Sequence, residues 1–365
     1  MDFAFSDEQN MLREQARSFL ADKVSSERVA EIAASDEGWD KNIYRQIAEL
    51  GWTGLSVAED AGGAGMGFID EAVVFEELGR ALFPGPFFST IALALPLLSD
   101  EDDLVSAIVT GERTATLAWA EPSGPQMIAD AARVTTKAEQ ANGGWTLTGE
   151  KTLVPDAGIV DHILVVASAS DGVGIWLVDR GDAGPEVLST MDRTRRLGTM
   201  SLSGAPARQV VVPGEAEAVL ETVRRRVLSA LSLEAVGIAQ RAVELSVAHV
   251  SERKQFDRPI GAYQAVSHQV ANMFVDLELD RSLAYWAAWC VDTDDEQAPV
   301  AVSAAKSAAG AAAVLACERA IQVHGGIGFT WEHVLHLFYK RAQWIDTFEG
   351  PGATHRAAIA TTLLD

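Results

Sequence analysis

Apolar positions along this chain follow two different periods, and the changes between them divide it into three stretches. From Phe5 to about Ile108 the pattern is helical: Met11, Leu12, Ala16, Phe19 and Leu20 recur at the steps that place side chains on one helix face. Ser6 with Gln9 is a capping-box signature for the start of that helix. Further helices are expected at about 41 to 50 and 68 to 81, joined by AEDAGGAGMG. From Thr114 to about Val212 the pattern becomes strand-like. TATLAWA, RVTTKA, WTLTG, HILVVA, GIWLV and RQVVV are short β-branched or aromatic runs, and NGG before Trp145 marks a turn between two of them. Helical spacing returns from Ala216, with long segments near 218 to 252, 264 to 291, 298 to 323 and 331 to 345. Long helices with short connections predict an antiparallel bundle, and the small residues of AVSAAKSAAGAAAVLA let one helix approach its neighbours closely. The order is α, β, α. It predicts an α+β chain with an N-terminal α-helical domain over 1–112, a middle β-domain over 113–215 and a C-terminal four-helix bundle over 216–365.

Composition narrows the function classes. A chain of 365 residues exceeds what one core usually spans, and with 48% hydrophobic and 22% charged residues it can build a large buried interior. The formal net charge of -23 argues against a nucleic-acid partner, which needs a basic face. The start MDFAFSDEQN lacks the basic and apolar regions of a signal peptide. Pro299 to Cys317 is rich in Ala and Ser, holds Lys306, and reads as too weakly apolar to span a membrane. A cytoplasmic location without membrane attachment is the expectation. Cys290 and Cys317 lie in separate helical stretches and read as buried packing residues. His333 and His336 lie near His324, but HxxH alone is weak support for zinc and no Glu motif completes it, so no metal is expected.

Candidate chemistry gathers in the last fifty residues, where QVHGGIG (Gln322 to Gly328) precedes TFEGPGATHR (Thr347 to Arg356). Glu349 lies in an apolar, glycine-flanked loop, where a carboxylate can lose water, rise in pKa and act as a base; a solvated loop residue or a helix N-terminal charge is the alternative role. The four glycines of AEDAGGAGMG invite a phosphate-loop reading, but the Walker lysine and the dinucleotide spacing are missing, so a turn between helices is expected.

Several motifs in register carry a family likeness over the whole length: the MDFAFSDEQ opening, LGWTGLSVAEDAGGAG with EELGRA, RKQFDRPIGAYQ (Arg253 to Gln264), QVHGGIGF, and FEG near the C-terminus. In these the chain resembles the acyl-CoA dehydrogenases. The resemblance implies that FAD lies extended between subunits, its ADP half on the neighbouring subunit's C-terminal bundle and its flavin ring against the β-domain and the loop bearing the base. Arg253 matches the family's pyrophosphate-binding arginine, and Phe256, Gln264, Gln322 and Gly326 match other positions around the nucleotide half. These residue types suit the roles: Arg offers a charged fork, glycine a close backbone approach and Phe an apolar face. Glu349 aligns with the family's base. It would take the α-proton of an acyl-CoA thioester while a hydride leaves the β-carbon, giving a trans-2-enoyl-CoA, with an electron-transfer flavoprotein as acceptor.

The chain also departs from the family pattern. Where the β-domain motif commonly reads TEPGAGSD, this chain has AEPSGPQMIAD, so Ala120 replaces a hydroxyl expected beside the flavin. Leu153 and Pro155 stand where a Trp and a hydroxyl residue usually meet the ring's N5 edge, and Pro supplies no donor. Pro351 replaces the usual Thr after FEG, and Leu228 an Arg near the CoA end. The ring half is depleted while the ADP half is kept. That asymmetry resembles a half-site, non-catalytic subunit paired with a homologous chain, as in the heteromeric branch that includes actinobacterial enzymes of steroid side-chain CoA esters. A homo-oligomeric enzyme that uses Glu349, and a relative that passes electrons to oxygen, are the other readings.

Overall fold

The computed structural model describes residues 5–141 and 143–364; Met1 to Ala4 of the MDFAFSDEQ opening lie outside them. Helices α1 (Asp7–Lys23), α2 (Ser26–Ala34), α3 (Lys41–Glu49), α4 (Phe68–Ala81) and α5 (Asp102–Val109) come first, with a π-helical turn over Phe88–Ala94. Strands β1 (Ala115–Ala118), β2 (Lys137–Ala141), β3 (Gly144–Pro155), β4 (His162–Ala169) and β5 (Gly172–Asp179) follow, then the short α6 (Arg180–Ala183), β6 (Glu186–Val187) and β7 (Leu197–Val211). The chain continues through α7 (Ala216–Glu252), the hairpin β8 (Lys254–Gln255) and β9 (Arg258–Pro259), α8 (Gln264–Asp292), α9 (Ala298–His324), α10 (Leu335–Thr347) and α11 (Gly352–Leu364). Two compact units result, one of residues 1–31, 68–83 and 228–365, the other of 32–67 and 84–227.

In the first unit the capping box at α1 forms in both directions, Ser6 Oγ accepting from the Gln9 N–H and Gln9 Oε1 from the Ser6 N–H, each at 3.1 Å. Ala16 and Leu20 turn into the core, whereas Met11 faces outward. Helices α4 and α7 cross on glycines. A Cβ at Gly237 would lie 2.0 Å from the Glu76 carbonyl oxygen, and one at Gly79 would lie 2.3 Å from that of Glu234. Helix α9 packs against α8, α10 and α11. Its small residues permit this: a Cβ at Gly310 would lie 3.2 Å from the Asp346 Cα.

The structure refines the expected helical bundle in its details. The fourth helix of the bundle starts at Leu335 and not near 331, because Gly325, with φ of 65°, ends α9 and a 3-10 turn over Gly325–Phe329 carries the chain onward. A fifth helix, α11, joins the bundle. By length and composition alone Ala298–Phe329 passes for a membrane span, yet most of its apolar stretch is buried in protein packing, as in a core helix.

In the second unit the strands form one seven-stranded sheet ordered β1-β4-β2-β3-β7-β5, with β6 on β7. Because β4 also pairs with β5, the sheet closes on itself. Leu147, Val154, Ile163, Val165, Trp176 and Met200 fill its core. The RQVVV run is only the end of β7, a 15-residue strand whose first half is too rich in Gly, Ser and Pro to read as one. The glycine-rich loop before α4 is a turn, with Gly62 and Gly65 in left-handed conformation.

Candidate functional site

Glu349 emerges where α10 ends. Phe348 leaves the helix in extended conformation, its ring stacked on Trp344 with centroids 4.4 Å apart. Glu349 then turns left-handed at φ 60° and only 3% of it is exposed. A non-glycine residue in that region is uncommon and is strained unless its surroundings impose it.

Here helix α9 imposes it. Lys306, fully buried, donates from Nζ to the carbonyl oxygens of Asp346 at 3.2 Å and Gly350 at 3.4 Å, on either side of Glu349. Next to it Ser307 Oγ donates to the Gly352 carbonyl at 3.2 Å and accepts from Arg356 Nη1 at 3.0 Å. Burial pushes the Lys306 ammonium down to about 8, against the pull of the Asp346 and Glu349 charges. The expected burial of Glu349 is therefore present, but the surroundings are not merely apolar, because a cation lies within electrostatic reach. The sequence held a signal for it, one lysine in the small and apolar stretch from Pro299 to Cys317. Pro351 is exposed.

The residues matched to a nucleotide lie at the far ends of α7, α8 and α9. Arg253 follows α7, its N–H donating to the His249 carbonyl at 2.9 Å and its own carbonyl accepting from Ile260 at 2.8 Å, which closes the β8–β9 hairpin. Phe256 is at the hairpin tip, left-handed at φ 52° and 87% exposed, edge-on to Tyr263. Gln264 opens α8, and Gln322 and Gly326 flank the end of α9; all three are exposed. Nothing lies within 4 Å of where a Cβ would stand on Gly325 or Gly326, so the backbone there is open to approach. What joins these segments is a column of imidazoles, of which the sequence reading lacked His249: His249 stacks on His324 at 4.3 Å, and His324 meets His333 at 4.6 Å. Between them these residues offer a guanidinium, two side-chain amides, open glycine backbone and an exposed aromatic ring. Among the described residues no group of three His, Cys, Asp or Glu side chains is placed to hold a metal. Cys290 and Cys317 are free and buried, and burial pushes both thiols up.

In the second unit the segment AEPSGP is fixed by a buried ion pair. Glu121 accepts from the backbone N–H and hydroxyl of both Thr135 and Thr136, at 2.6 to 2.9 Å, and from Lys151 Nζ at 2.9 Å. Burial raises the Glu121 carboxyl, but these donors outweigh it and hold the group down at about 2. Ala120 is buried beside it, its carbonyl accepting from the Thr152 N–H at 3.0 Å. Leu153 sits in a register shift between β3 and β7, left-handed at φ 54° and 41% exposed. Pro155 is buried and its carbonyl accepts from Thr116 Oγ1 at 2.7 Å. Neither Ala120, Leu153 nor Pro155 offers a side-chain donor. Leu228, in the first unit, is buried among Ala287, Val302 and Ala305, so packing within the bundle accounts for its apolar character.

Comparison with known proteins gives three consecutive family matches: the acyl-CoA dehydrogenase N-terminal domain over residues 6–99, the middle domain over 116–211 and the C-terminal domain over 224–364. The acyl-CoA dehydrogenase IpdE2 of Mycobacterium tuberculosis is 32% identical over 339 residues, covering 92% of this chain and 91% of that one. Among solved structures, a variant of the Tcur3481–Tcur3483 steroid ACAD superposes with a TM-score of 0.85 at 29% identity, over 98% of both chains. The ChsE4–ChsE5 complex from Mycobacterium tuberculosis gives 0.86 at 25% identity, over 100% of this chain and 99% of that one.

Proposed function

Since this chain belongs to the acyl-CoA dehydrogenase family, flavin-dependent oxidoreductases that dehydrogenate acyl-CoA, we propose that it desaturates an acyl-CoA thioester with Glu349 as the base. The observation that carries this reading is the held geometry of Glu349, a buried carboxylate on a left-handed residue with its loop tied to α9 on both sides. Such strain and burial cost stability and make sense where a carboxylate must be kept aimed and dry.

Glu349 takes the α-proton, and removal of that weakly acidic proton requires donors at the thioester carbonyl to receive the developing negative charge. Bound FAD would supply the acceptor for the hydride leaving the β-carbon, so that a trans-2-enoyl-CoA results. Arg253, Phe256, Gln264, Gln322 and Gly326 would hold the ADP half. We assign the next electron transfer to an electron-transfer flavoprotein and the location to the cytoplasm. Steroid-linked acyl-CoA esters are the first substrate class to screen, because one similar structure is described as a steroid ACAD. The test is reduction of the protein's flavin by acyl-CoA. Glu349→Gln should keep its flavin yet lose the bleaching, by about 100- to 10,000-fold in rate. Bleaching at the wild-type rate would remove Glu349 from the mechanism.

A second reading has its own observation in its favour. The three ring-side positions Ala120, Leu153 and Pro155 supply no side-chain donor, while the nucleotide-side set is complete. A half-site subunit that lends its ADP-side contacts to a homologous partner would have this asymmetry, and two of the similar structures bear paired names. The visible spectrum and native mass of the chain expressed alone separate the readings. A yellow homo-oligomer supports the self-sufficient enzyme; a colourless product that gains FAD on co-expression with a homologous chain supports the half-site.

A further inference from the structure

Lys306 is a charged side chain placed where charge is expensive. Burying an ammonium costs several kcal/mol unless its donors and its charge both find partners, and in the middle of an alanine-rich helix a methionine or leucine would pack without that cost. Its partners are specific. Both backbone oxygens it reaches belong to the segment bearing Glu349, and the anions that attract it are Asp346 on α10 and Glu349 itself. The guanidinium of Arg356 on α11 donates to the neighbouring Ser307 Oγ at 3.0 Å. Gly310, one turn along α9, lets Asp346 close to contact distance.

We propose that Lys306 is a positioning residue for Glu349: it fixes the backbone on both sides of the carboxylate, and its positive charge keeps that carboxylate ionised inside a dry loop. The attraction between two charges acts on both of them, so the pull of Glu349 on the Lys306 proton has its counterpart in a pull of Lys306 against protonation of Glu349. Burial disfavours the charged form of a carboxylate in general, and a neighbouring cation opposes that effect. The inference rests on Glu349 being the base for its catalytic meaning, but the coupling itself can be measured without turnover.

The experiment is an infrared pH titration of the intact flavin-loaded protein, with the Glu349 band identified by its loss in Glu349→Gln. Lys306→Met removes charge and donors, Lys306→Gln keeps a donor without the charge, and Lys306→Arg keeps the charge. The first two should move the ionisation of Glu349 upward by roughly one to three pH units, and the acidic limb of kcat with it; Lys306→Arg should stay near the wild type. Should Lys306→Met not fold, Lys306→Gln reads the same shift. An unmoved Glu349 titration in either neutral variant overturns the proposal, even if activity falls. If Glu349→Gln still bleaches flavin while the neutral variants shift the titration, the base assignment fails and the coupling stands.

Discussion

The imidazole of His249 stacks on that of His324, ring centroids 4.3 Å apart and planes 27° apart, and so ties the end of α7 to the end of α9. Burial lowers the proton affinity of both rings below the ordinary 6.5, and in His249 the neighbouring His324 and Arg253 lower it further. His333, beside His324, is lowered in the same way, by burial and then by His324, His249 and His336. The folded state thus prefers the neutral rings, and below pH 6.5 the unfolded chain binds protons that the folded one refuses.

The expected outcome is a stability contribution that is complete above the ordinary histidine pKa and is lost as pH falls through the lowered folded values. Thermal midpoints measured from about pH 7.5 down to about pH 5.5 should fall for the wild type. In His249→Phe, which keeps a stacking ring but cannot charge, the fall should be shallower. Equal slopes would remove the column from the acid response.

The α4–α7 crossing predicts a severe effect from a small change. In Gly237→Ala the added methyl meets the Glu76 carbonyl oxygen at 2.0 Å and the Arg80 amide nitrogen at 2.5 Å, both backbone atoms that cannot swing aside. Separating the helices would also disturb the ion pair of Arg80 with Glu244, whose forked contacts are 2.8 and 2.9 Å. A loss of about 1–3 kcal/mol or more is expected in urea unfolding. Gly326→Ala, facing open space, serves as the control and should leave stability almost unchanged.

These glycines show where the sequence was readable and where it was not. Helix periods, the capping box and the turn at AEDAGGAGMG follow from local rules, and local rules suffice for them. Arg253, Phe256, Gln264, Gln322 and Gly326 could be singled out because they sit in contiguous motifs. Lys306 lies 43 residues before Glu349, as the hydrogen bonds near that loop span 40 to 49 positions. No period or motif couples residues at that separation, so the cation beside Glu349 emerged only with the packing of α9 on α10. The His249–His324 contact was hidden for the same reason.

The Glu121–Lys151 pair predicts opposite results for one substitution and two. Lys151→Met alone strands a buried carboxylate and should cost about 3–5 kcal/mol. Adding Glu121→Gln removes the uncompensated charge, and the amide oxygen can still accept from Thr135 or Thr136, so the double variant should recover part of that loss. Urea unfolding of both variants is the check. A double variant less stable than Lys151→Met would show that Glu121 contributes through its other donors more than through the pair.

Arg253 predicts a binding defect without a folding defect. Its side chain is exposed at the end of α7, and the hairpin it opens is closed by its backbone. Arg253→Ala should therefore leave the thermal midpoint of the flavin-free protein in place while weakening FAD by about ten- to a hundredfold, the worth of a charged hydrogen bond to phosphate. Flavin retained through gel filtration measures this, in the homo-oligomer or in a co-expressed complex.

The ring-side departures can be reversed. Pro155 pairs with Leu197 across β3 and β7, and Leu153 occupies the irregularity just before it. Threonine at 155 would return a backbone N–H and a hydroxyl to a strand position, and threonine at 120 a hydroxyl beside the Glu121 anchor. Neither change introduces charge, and Ala120→Thr adds bulk at a buried site, so each single variant should first be checked for an unchanged melting transition. If this chain binds the flavin ring itself, the double variant Ala120→Thr/Pro155→Thr should hold FAD roughly five- to a hundredfold more tightly, from two added hydrogen bonds. If the ring belongs to a homologous partner, the isolated variant should bind no more FAD than the wild type, and only the co-expressed complex should be yellow. Flavin-to-protein ratios of the two proteins, purified side by side, distinguish these outcomes because the ADP-side residues are the same in both.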